Sequence, residues 1–350
     1  MHWKLTSAIL ATASLYVSVC TAPGKTYSLT IRMKEAIPTR PDDLQCTSIK
    51  LDPEESYIIK VDPHASKQTA HHMMVFGCEE IDNNNPIWDC HAGESSGSNN
   101  SVCRGGERQI LFAWAMDATS KSLPEGVGIR VSGETKINYI VVQLHYANVF
   151  PDGVTDNSGV TLTMTHHRPP MQAGYLVLYD VGPIPPHKKA VEVDSYCKYT
   201  RKYPIYPIGF RTHSHELGYV TSGYRIRDGK WTEIGRMSPQ LPQTFYEVSN
   251  PGMEIKEGDE LASRCTMNSV ARDEVTVMGA GHHDEMCNFY IMYATYNQDP
   301  LKTELCTQVS QMFHLTDKFP AEDIPKDISS LKGIKGFEKV LVHFHMSKPL

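Results

Sequence analysis

The chain has 350 residues, of which 40% are hydrophobic, and its formal net charge is −6 with histidine neutral. A chain of this length can bury one large core or two of ordinary size, and two is the commoner outcome. The mild acidity, with no block of like charges, argues against nucleic-acid binding and against attachment to membranes through basic residues. We therefore expect a binding partner to occupy a pocket of the protein.

The first 22 residues have the pattern of a secretory signal peptide. A short basic start is followed by an apolar run of about 15 residues and then by small residues. No later segment approaches the roughly 18 unbroken apolar residues that indicate a transmembrane helix. We therefore predict that residues 1–22 are a signal peptide and that the protein enters the secretory pathway without a transmembrane segment.

Nine cysteines occur, and Cys20 lies where the signal peptide would be removed. An even set of eight in an exported chain predicts four disulfide bonds, although spacing alone does not choose among the pairings. Asn99 opens an Asn-Asn-Ser sequon, which predicts N-glycosylation. The other cysteines form an early and a late group, which predicts two separately stapled domains: Cys46, Cys78, Cys90 and Cys103, then Cys197, Cys265, Cys287 and Cys306.

The hydrophobic pattern predicts an all-β fold. Helical periodicity is scarce, and short apolar or alternating runs are separated by Gly, Pro, Asn and Asp clusters. These runs are SYIIKVD, NYIVVQLHYANV, GVTLTMTH, GYLVLYDV, KWTEIG and FYIMYATY. The two prolines within residues 165–174 cannot occupy a central strand and mark a linker, so we expect domains at 25–166 and 171–350. Residues 316–339 carry turn and charge signals and are predicted to be a loosely attached tail.

Two histidines, His213 and His215, stand one residue apart in GFRTHSHELG, on a predicted strand. Alternate side chains share a face of a strand at a Cα separation of roughly 7 Å, which suits one metal ion. The alternative is a pair of solvated histidines. Met286, in HHDEMCNFYIMY, is a third potential ligand, although a methionine at the edge of a core is more often a packing residue. A thioether ligand favours copper, above all Cu(I), over zinc.

Three further histidines suggest a second metal site. His71 and His72 are adjacent in TAHHMMVFGC, and His145 lies within the predicted strand VVQLHYANV. Adjacent residues of a regular strand point apart, so the backbone must twist if both bind one ion. The alternative for His145 is a core histidine bonded to a backbone carbonyl. Together the three would leave a coordination position open for a small ligand.

Other catalytic classes lack their motifs in this sequence. It contains no HExxH, no Gly-x-Ser-x-Gly elbow and no GxxxxGK[ST]. Zinc proteases, α/β-hydrolases and P-loop nucleotide-binding proteins are therefore excluded.

Five motifs, HHMMVFGC, QLHYAN, RTHSHELG, SGYR and DEMCNFYIMY, occur in the order in which similar motifs occur in the peptidylglycine alpha-hydroxylating monooxygenases. The sequence therefore resembles this group of copper type II, ascorbate-dependent monooxygenases, from about residue 28 to 310. The resemblance implies two antiparallel, jelly-roll-like β-sandwich domains that face each other across an open, solvent-filled cleft. It also implies two copper sites, one of His71, His72 and His145 and a catalytic one of His213, His215 and Met286.

The same resemblance implies a substrate site and a disulfide pattern. Arg211, Asn288 and Tyr290 would hold the terminal carboxylate of the substrate, and the planar guanidinium of an arginine suits a carboxylate. The family has a further disulfide bond in the first domain, and the segment TDNSGVTLTM of this chain lacks the cysteine that would form it. The implied disulfide bonds are Cys46 with Cys90, Cys78 with Cys103, Cys197 with Cys306, and Cys265 with Cys287.

The reaction implied is hydroxylation of the α-carbon of a C-terminal glycine, the first step of peptide amidation. Ascorbate would be the reductant and O2 the co-substrate. The implied partners are glycine-extended peptides and a separate lyase polypeptide that acts on the hydroxyglycine product, in the lumen of a secretory granule or outside the cell. Three alternatives stay open: a dopamine or tyramine monooxygenase, which Arg211 disfavours, a secreted copper carrier without catalysis, and a structural sandwich module.

Overall fold

The computed structural model describes residues 25–90, 100–115, 117–279, 281, 283–307 and 313–334. In this part of the chain the regular elements are β-strands and three short 3-10 turns, and no helix is long and apolar enough to cross a membrane. The all-β prediction is confirmed, and all six predicted runs fall in strands. The strands are β1 (Thr26–Arg32), β2 (Asp43–Lys50), β3 (Ser56–His64), β4 (His72–Cys78), β5 (Trp88–Asp89), β6 (Gln109–Ala115), β7 (Lys121–Ser122), β8 (Val127–Val131), β9 (Tyr139–Tyr146), β10 (Gly159–Thr165), β11 (Met171–Asp180), β12 (Val191–Lys198), β13 (Tyr206–His213), β14 (Gly218–Arg227), β15 (Lys230–Met237), β16 (Glu260–Met267), β17 (Cys287–Thr295) and β18 (Glu304–Cys306).

Two layers of sheet form each half of the molecule. In the first half, residues 25–165, a sheet in the order β5-β2-β9-β4-β6 packs on a layer containing β1, β10, β3 and β8. In the second half, residues 171–334, the order β12-β16-β14-β15 packs on a layer of β11, β17 and β13. Buried apolar side chains fill the space between the two layers, as expected of sandwiches.

One continuous sheet joins the two halves. A short parallel pairing of β8 with β11 places Met171 opposite Val127 and Gln172 opposite Gly128. The larger apolar core also crosses this boundary, because Tyr175 of the second half belongs to the cluster that fills the first sandwich. This shared sheet and core hold the two halves in contact.

Four disulfide bonds tie strands and loops together within the two halves. The pairs are those that the resemblance implies, and each lies within its own half of the chain: Cys46–Cys90, Cys78–Cys103, Cys197–Cys306 and Cys265–Cys287. The bond between β16 and β17 fixes the residue that follows Met286. A disulfide bond thus lies directly beside Met286, a candidate metal ligand.

The prediction of a loose tail is wrong for residues 316–334. Ile324 and Ile328 are buried in a cluster with side chains of β14 and β16. The hydroxyl of Ser222 donates to the carbonyl of Ile328 at 2.8 Å, and Arg236 pairs with Asp327 at 2.8 Å. Ile324 and Ile328 are single apolar residues within a stretch rich in proline, turn and charge signals, and the sequence does not show that a distant sheet covers them.

Three predictions fall outside the described residues. They are the signal peptide at residues 1–22 with Cys20, the glycosylated Asn99, and the end of the proposed tail beyond residue 334.

Candidate metal centres

The first cluster contains three histidines that the register of two strands brings together. His72 is the first residue of β4 and lies directly opposite His145 of β9. His71 precedes the strand, and its backbone N–H donates to the carbonyl of His145 at 2.8 Å. Because His71 is outside the regular strand, its side chain does not have to point away from that of His72.

The three imidazole rings face one another through the same ring atom. The Nδ1 atom of His71 lies 3.2 Å from Nδ1 of His145 and 3.4 Å from Nδ1 of His72, and the third pair is 3.3 Å apart. A bond from an imidazole nitrogen to a transition metal is about 2 Å long, so atoms at these separations can share one ion. Protons between the rings cannot satisfy all three contacts at once, whereas one cation can.

Asp42 fixes the orientation of His145. Its carboxylate oxygen Oδ1 lies 3.0 Å from Nε2 of His145. A carboxylate accepts, so the proton of the neutral ring belongs on Nε2, and Nδ1 keeps a lone pair for a metal. Asp42 has φ of 55°, a conformation that aspartate and asparagine tolerate better than most residues. Such carboxylate support is typical of metal-binding histidines.

The environment of each cluster favours the uncharged form of one of its histidines. Burial holds the pKa of His72 well below its ordinary value, and the neighbouring His145 adds to this effect. Burial likewise holds the pKa of His213 well below its ordinary value, with the charge of Arg211 as the next cause. Neutral imidazole is the form that binds metal ions.

The second cluster combines nitrogen with sulfur. His213 ends β13, and its Nε2 atom lies 3.3 Å from Sδ of Met286, which immediately precedes β17. The ring of His215 lies 5.4 Å from that of His213, measured between ring centres. Nδ1 of His215 donates to the carbonyl of Asp284 at 2.8 Å, which leaves its Nε2 for a metal.

The prediction that His213 and His215 share one strand is wrong. The strand ends at His213, and His215 lies in the bend that follows. The cause is Glu285, whose fully buried carboxylate accepts the backbone N–H groups of His215, Leu217 and Met286. These bonds replace the strand ladder and tie the bend to the segment that carries Met286.

Gln243 supports the second cluster from the opposite side. Its Oε1 atom accepts from Nδ1 of His213 at 2.6 Å and from Nη2 of Arg211 at 3.1 Å. Its own amide donates to the carbonyls of Ser214 and Pro239. The amide is therefore held by its own bonds, and it fixes Nε2 of His213 as the atom that points to Met286.

The three predicted substrate residues lie together beside this cluster. Arg211 is only 2% exposed, and its guanidinium lies 5.1 Å from the ring centre of Tyr290. The amide of Asn288 lies 3.5 Å from the hydroxyl of Tyr290 and 3.7 Å from Sδ of Met286. Burial lowers the pKa of Arg211 from its ordinary value, but an arginine stays protonated. An anionic group would be strongly attracted here.

Both clusters face the same space between the two halves. A cavity of about 150 Å³ is lined by His71, His72, His145, His213, His215 and Gln243. A larger adjoining cavity of about 460 Å³ contains Arg211, Asn288 and Tyr290 beside Met286, and apolar residues form part of its wall. The imidazole and thioether donors fit copper better than zinc, calcium or magnesium.

Comparison with known proteins identifies the family. The model of the copper type II ascorbate-dependent monooxygenase N-terminal domain matches residues 29–152, and that of the C-terminal domain matches residues 171–319. The chain belongs to this family. The description of the family names copper and ascorbate, and its members are monooxygenases.

Individual relatives agree with this assignment. The chain is 44% identical over 277 residues to peptidyl-glycine alpha-amidating monooxygenase A of Xenopus laevis, covering 78% of this chain and 28% of that protein. It is 39% identical over 325 residues to the Mus musculus enzyme, covering 91% and 31%. Human dopamine beta-hydroxylase is 30% identical over 292 residues, covering 77% and 46%. The chain thus spans about a third of the length of the amidating relatives.

Sequence reasoning missed three residues that hold the predicted ligands in place. Asp42, Gln243 and Glu285 contact ligands that lie far away in sequence or across a bend. The local sequence around Gln243, SPQLPQTF, has no spacing that points to a metal site. Only Glu285 gave a signal, because it is an acidic residue directly before Met286 and the apolar strand that follows.

Proposed function

We propose that the chain hydroxylates the α-carbon of C-terminal glycine in peptides, the first step of C-terminal amidation. The observation that carries this proposal is Arg211, a buried guanidinium in the cavity that also contains Met286 and His213. Asn288 and Tyr290 line the same cavity, so three groups suited to a carboxylate adjoin the N and S donors. The names of the amidating relatives support this choice of substrate.

Two copper ions would be held in this arrangement. His71, His72 and His145 would bind one through their Nδ1 atoms, and His213, His215 and Met286 would bind the other. When bound, the two coppers supply the two electrons that insertion of one oxygen atom of O2 into a C–H bond requires. The assignment divides the chain into a signal peptide at 1–22 and copper domains at 25–166 and 171–350.

The residues of the second cluster prepare it for this chemistry. Gln243 and the carbonyl of Asp284 hold the Nδ1 protons of His213 and His215, so both Nε2 lone pairs face the cavity. The thioether of Met286 would favour reduced over oxidised copper at this site. Arg211 would fix the substrate carboxylate and place the glycine α-carbon beside these donors.

The overall reaction balances with two ascorbate molecules. Peptidyl-glycine, O2 and two ascorbates, each giving one electron and one proton, yield peptidyl-alpha-hydroxyglycine, water and two oxidised ascorbates. Release of the amide from the hydroxyglycine product is assigned to a lyase as partner. The four disulfide bonds support a location in the secretory pathway, in the granule lumen or outside the cell.

The test is turnover by the purified, copper-loaded protein. It is mixed with ascorbate and an N-acylated dipeptide that ends in glycine, and the hydroxyglycine product is measured. The proposal predicts this product. Turnover of tyramine with no peptide product would instead identify a catecholamine-type monooxygenase, and copper binding without any turnover would identify a carrier.

A further inference from the structure

The sequence contains two pairs of adjacent basic residues, and the structure holds their side chains in different ways. Lys188 and Lys189 lie in the loop between β11 and β12, and Arg201 and Lys202 lie between β12 and β13. Each residue of the second pair forms a salt bridge with a glutamate, Arg201 at 3.2 Å and Lys202 at 2.5 Å. Neither lysine of the first pair has a side-chain partner among the described residues, so both ammonium groups are available to another molecule.

The loop around the first pair is also the more accessible of the two. Residues 187–190 are all exposed, and the residue on each side of them is half-buried. Around the second pair, by contrast, Tyr199 and Ile205 are buried. Exposed loop tips are preferred sites of proteolysis, and a bound peptide segment is commonly extended like a strand. The first loop can adopt this form without withdrawing a buried side chain from the core.

Hydrogen bonds to a single residue, Ser269, hold the backbone of this loop near the lysines. The N–H of His187 donates to the carbonyl of Ser269 at 2.9 Å, and the N–H of Ser269 donates to the carbonyl of Lys188 at 2.8 Å. The peptide bond between Lys189 and Ala190 has no hydrogen bond to the described residues. His187 has φ of 58°, a left-handed conformation that residues with a side chain adopt infrequently. The loop therefore opens by losing its bonds to Ser269, and this conformation of His187 is relieved at the same time.

A break after Lys189 would leave no covalent connection between the two parts of the chain. All four disulfide bonds join cysteines on the same side of this position. The two parts would still share a sheet, because β11 pairs with β17 from Gln172 to Asp180. A break after Lys202 differs, since the bond between Cys197 and Cys306 would still connect the fragments.

We infer that Lys188–Lys189 is a processing site for an endoprotease that recognises paired basic residues. Carboxylates in the cleft of such an enzyme bind the two ammonium groups. One water molecule is consumed as the C–N bond between Lys189 and Ala190 breaks, Lys189 acquires a C-terminal carboxylate, and Ala190 acquires an N-terminal amine. The product is a two-chain form of the protein that its sheet holds together. This modification site does not depend on the proposed reaction.

The experiment is limited digestion of the purified, folded protein with a subtilisin-family endoprotease that requires a basic pair. Samples are separated by denaturing electrophoresis without and with reductant, and the fragments are identified by mass spectrometry. The first cut should produce one fragment that ends at Lys189 and one that begins at Ala190, and these should separate without reductant. On a native size-exclusion column the two fragments should elute together.

Variants decide whether the lysine pair is responsible. In Lys188→Gln and in Lys189→Gln the rate of the first cut should fall about 30-fold or more, because one charged contact with the endoprotease is lost. Both residues are exposed and without a side-chain partner among the described residues, so the fold should persist. Lys202→Gln, at the other basic pair, is the matched control and should keep the wild-type rate.

Three results would overturn the processing site. The first is fragments that separate only after reduction, which would place the cut after Lys202 or within another disulfide loop. The second is an unchanged rate in Lys189→Gln. The third is an uncut folded protein under conditions that cut a synthetic peptide of residues 183–194. Separate elution of the two fragments from the native column would overturn the assembled two-chain form.

Discussion

The two candidate copper sites are built in different ways. In the first site, His72 and His145 are opposite residues of neighbouring strands, so the sheet itself sets their separation. In the second site, His213 ends a strand and His215 lies in a bend, and side chains of Glu285 and Gln243 hold them. Sheet register produces a compact site of identical donors, whereas a site at strand ends depends on individual buried hydrogen bonds.

The difference extends to donor chemistry. The first site has three nitrogen donors already within 3.4 Å of one another. The second site includes a thioether and adjoins the residues proposed to bind substrate. Changes in the second site should therefore affect substrate binding as well as turnover, while changes in the first should affect turnover only through metal occupancy there.

The largest effect is expected from Met286→Ile. The two side chains have similar volumes, so the fold should persist, while loss of the only sulfur donor should abolish hydroxylation. Product formation and copper content are measured together. Met292→Ile, the same change within the buried part of β17, controls for packing and should keep activity. Near-normal turnover in Met286→Ile would remove the thioether from the second site.

Arg211→Ala tests whether Arg211, beside the second site, binds the substrate carboxylate. Removing one partner of a buried, charged interaction costs about 2 kcal/mol or more, so KM should rise about 30-fold or more. Steady-state kinetics with the acylated dipeptide measure this change. Arg211→Lys, which keeps the charge but not the planar fork, should give an intermediate KM. An unchanged KM in Arg211→Ala would place the carboxylate elsewhere.

Asp42→Asn tests the support of the first site. Asparagine tolerates the positive φ at this position but holds the Nε2 proton of His145 less strongly. Copper affinity of the first site should fall about 10- to 100-fold, with the second site unaffected. Competition titration with a chelator measures both affinities, and Asp152→Asn, at an exposed turn, is the control. Equal weakening of both sites would contradict the independence of the two.

The smallest effect is expected from Glu285→Gln. The amide keeps an accepting oxygen but places an N–H₂ group against backbone donors, which should lower the free energy of unfolding by about 1 kcal/mol. Copper affinity should fall only at the second site, since the bend of His215 loosens. Denaturant unfolding and chelator competition measure the two effects, with the exposed Glu125→Gln as the control. A weaker first site with an intact second site would contradict this role.

The sequence was sufficient to predict those parts of the structure that follow a local pattern of residues. The strands and the clustering of each histidine set followed from alternation, from spacing and from the resemblance to a known family. Glu285, Gln243 and Asp42 could not be found in this way, because their partners are fixed by tertiary contacts. The same holds for the pairing of Met171 with Val127, which only two residues of each strand support.

The packing of residues 316–334 shows the same limit. Ile324 and Ile328 are single apolar residues among charged ones, and nothing in their spacing indicates that β14 and β16 provide a surface for them. Burial of isolated side chains against a distant sheet has no sequence period, so the pattern of turns and charges suggested a loose tail.

The most direct test of the two-site account is X-ray absorption spectroscopy at the copper edge, on copper-loaded and ascorbate-reduced protein. The account predicts two coppers per chain, nitrogen donors at both, and one sulfur donor for every two coppers, bound to the copper of the second site. The sulfur signal should disappear in Met286→Ile and persist in Asp42→Asn. Fewer than two coppers per chain, or a spectrum of the wild-type protein without sulfur, would contradict the account.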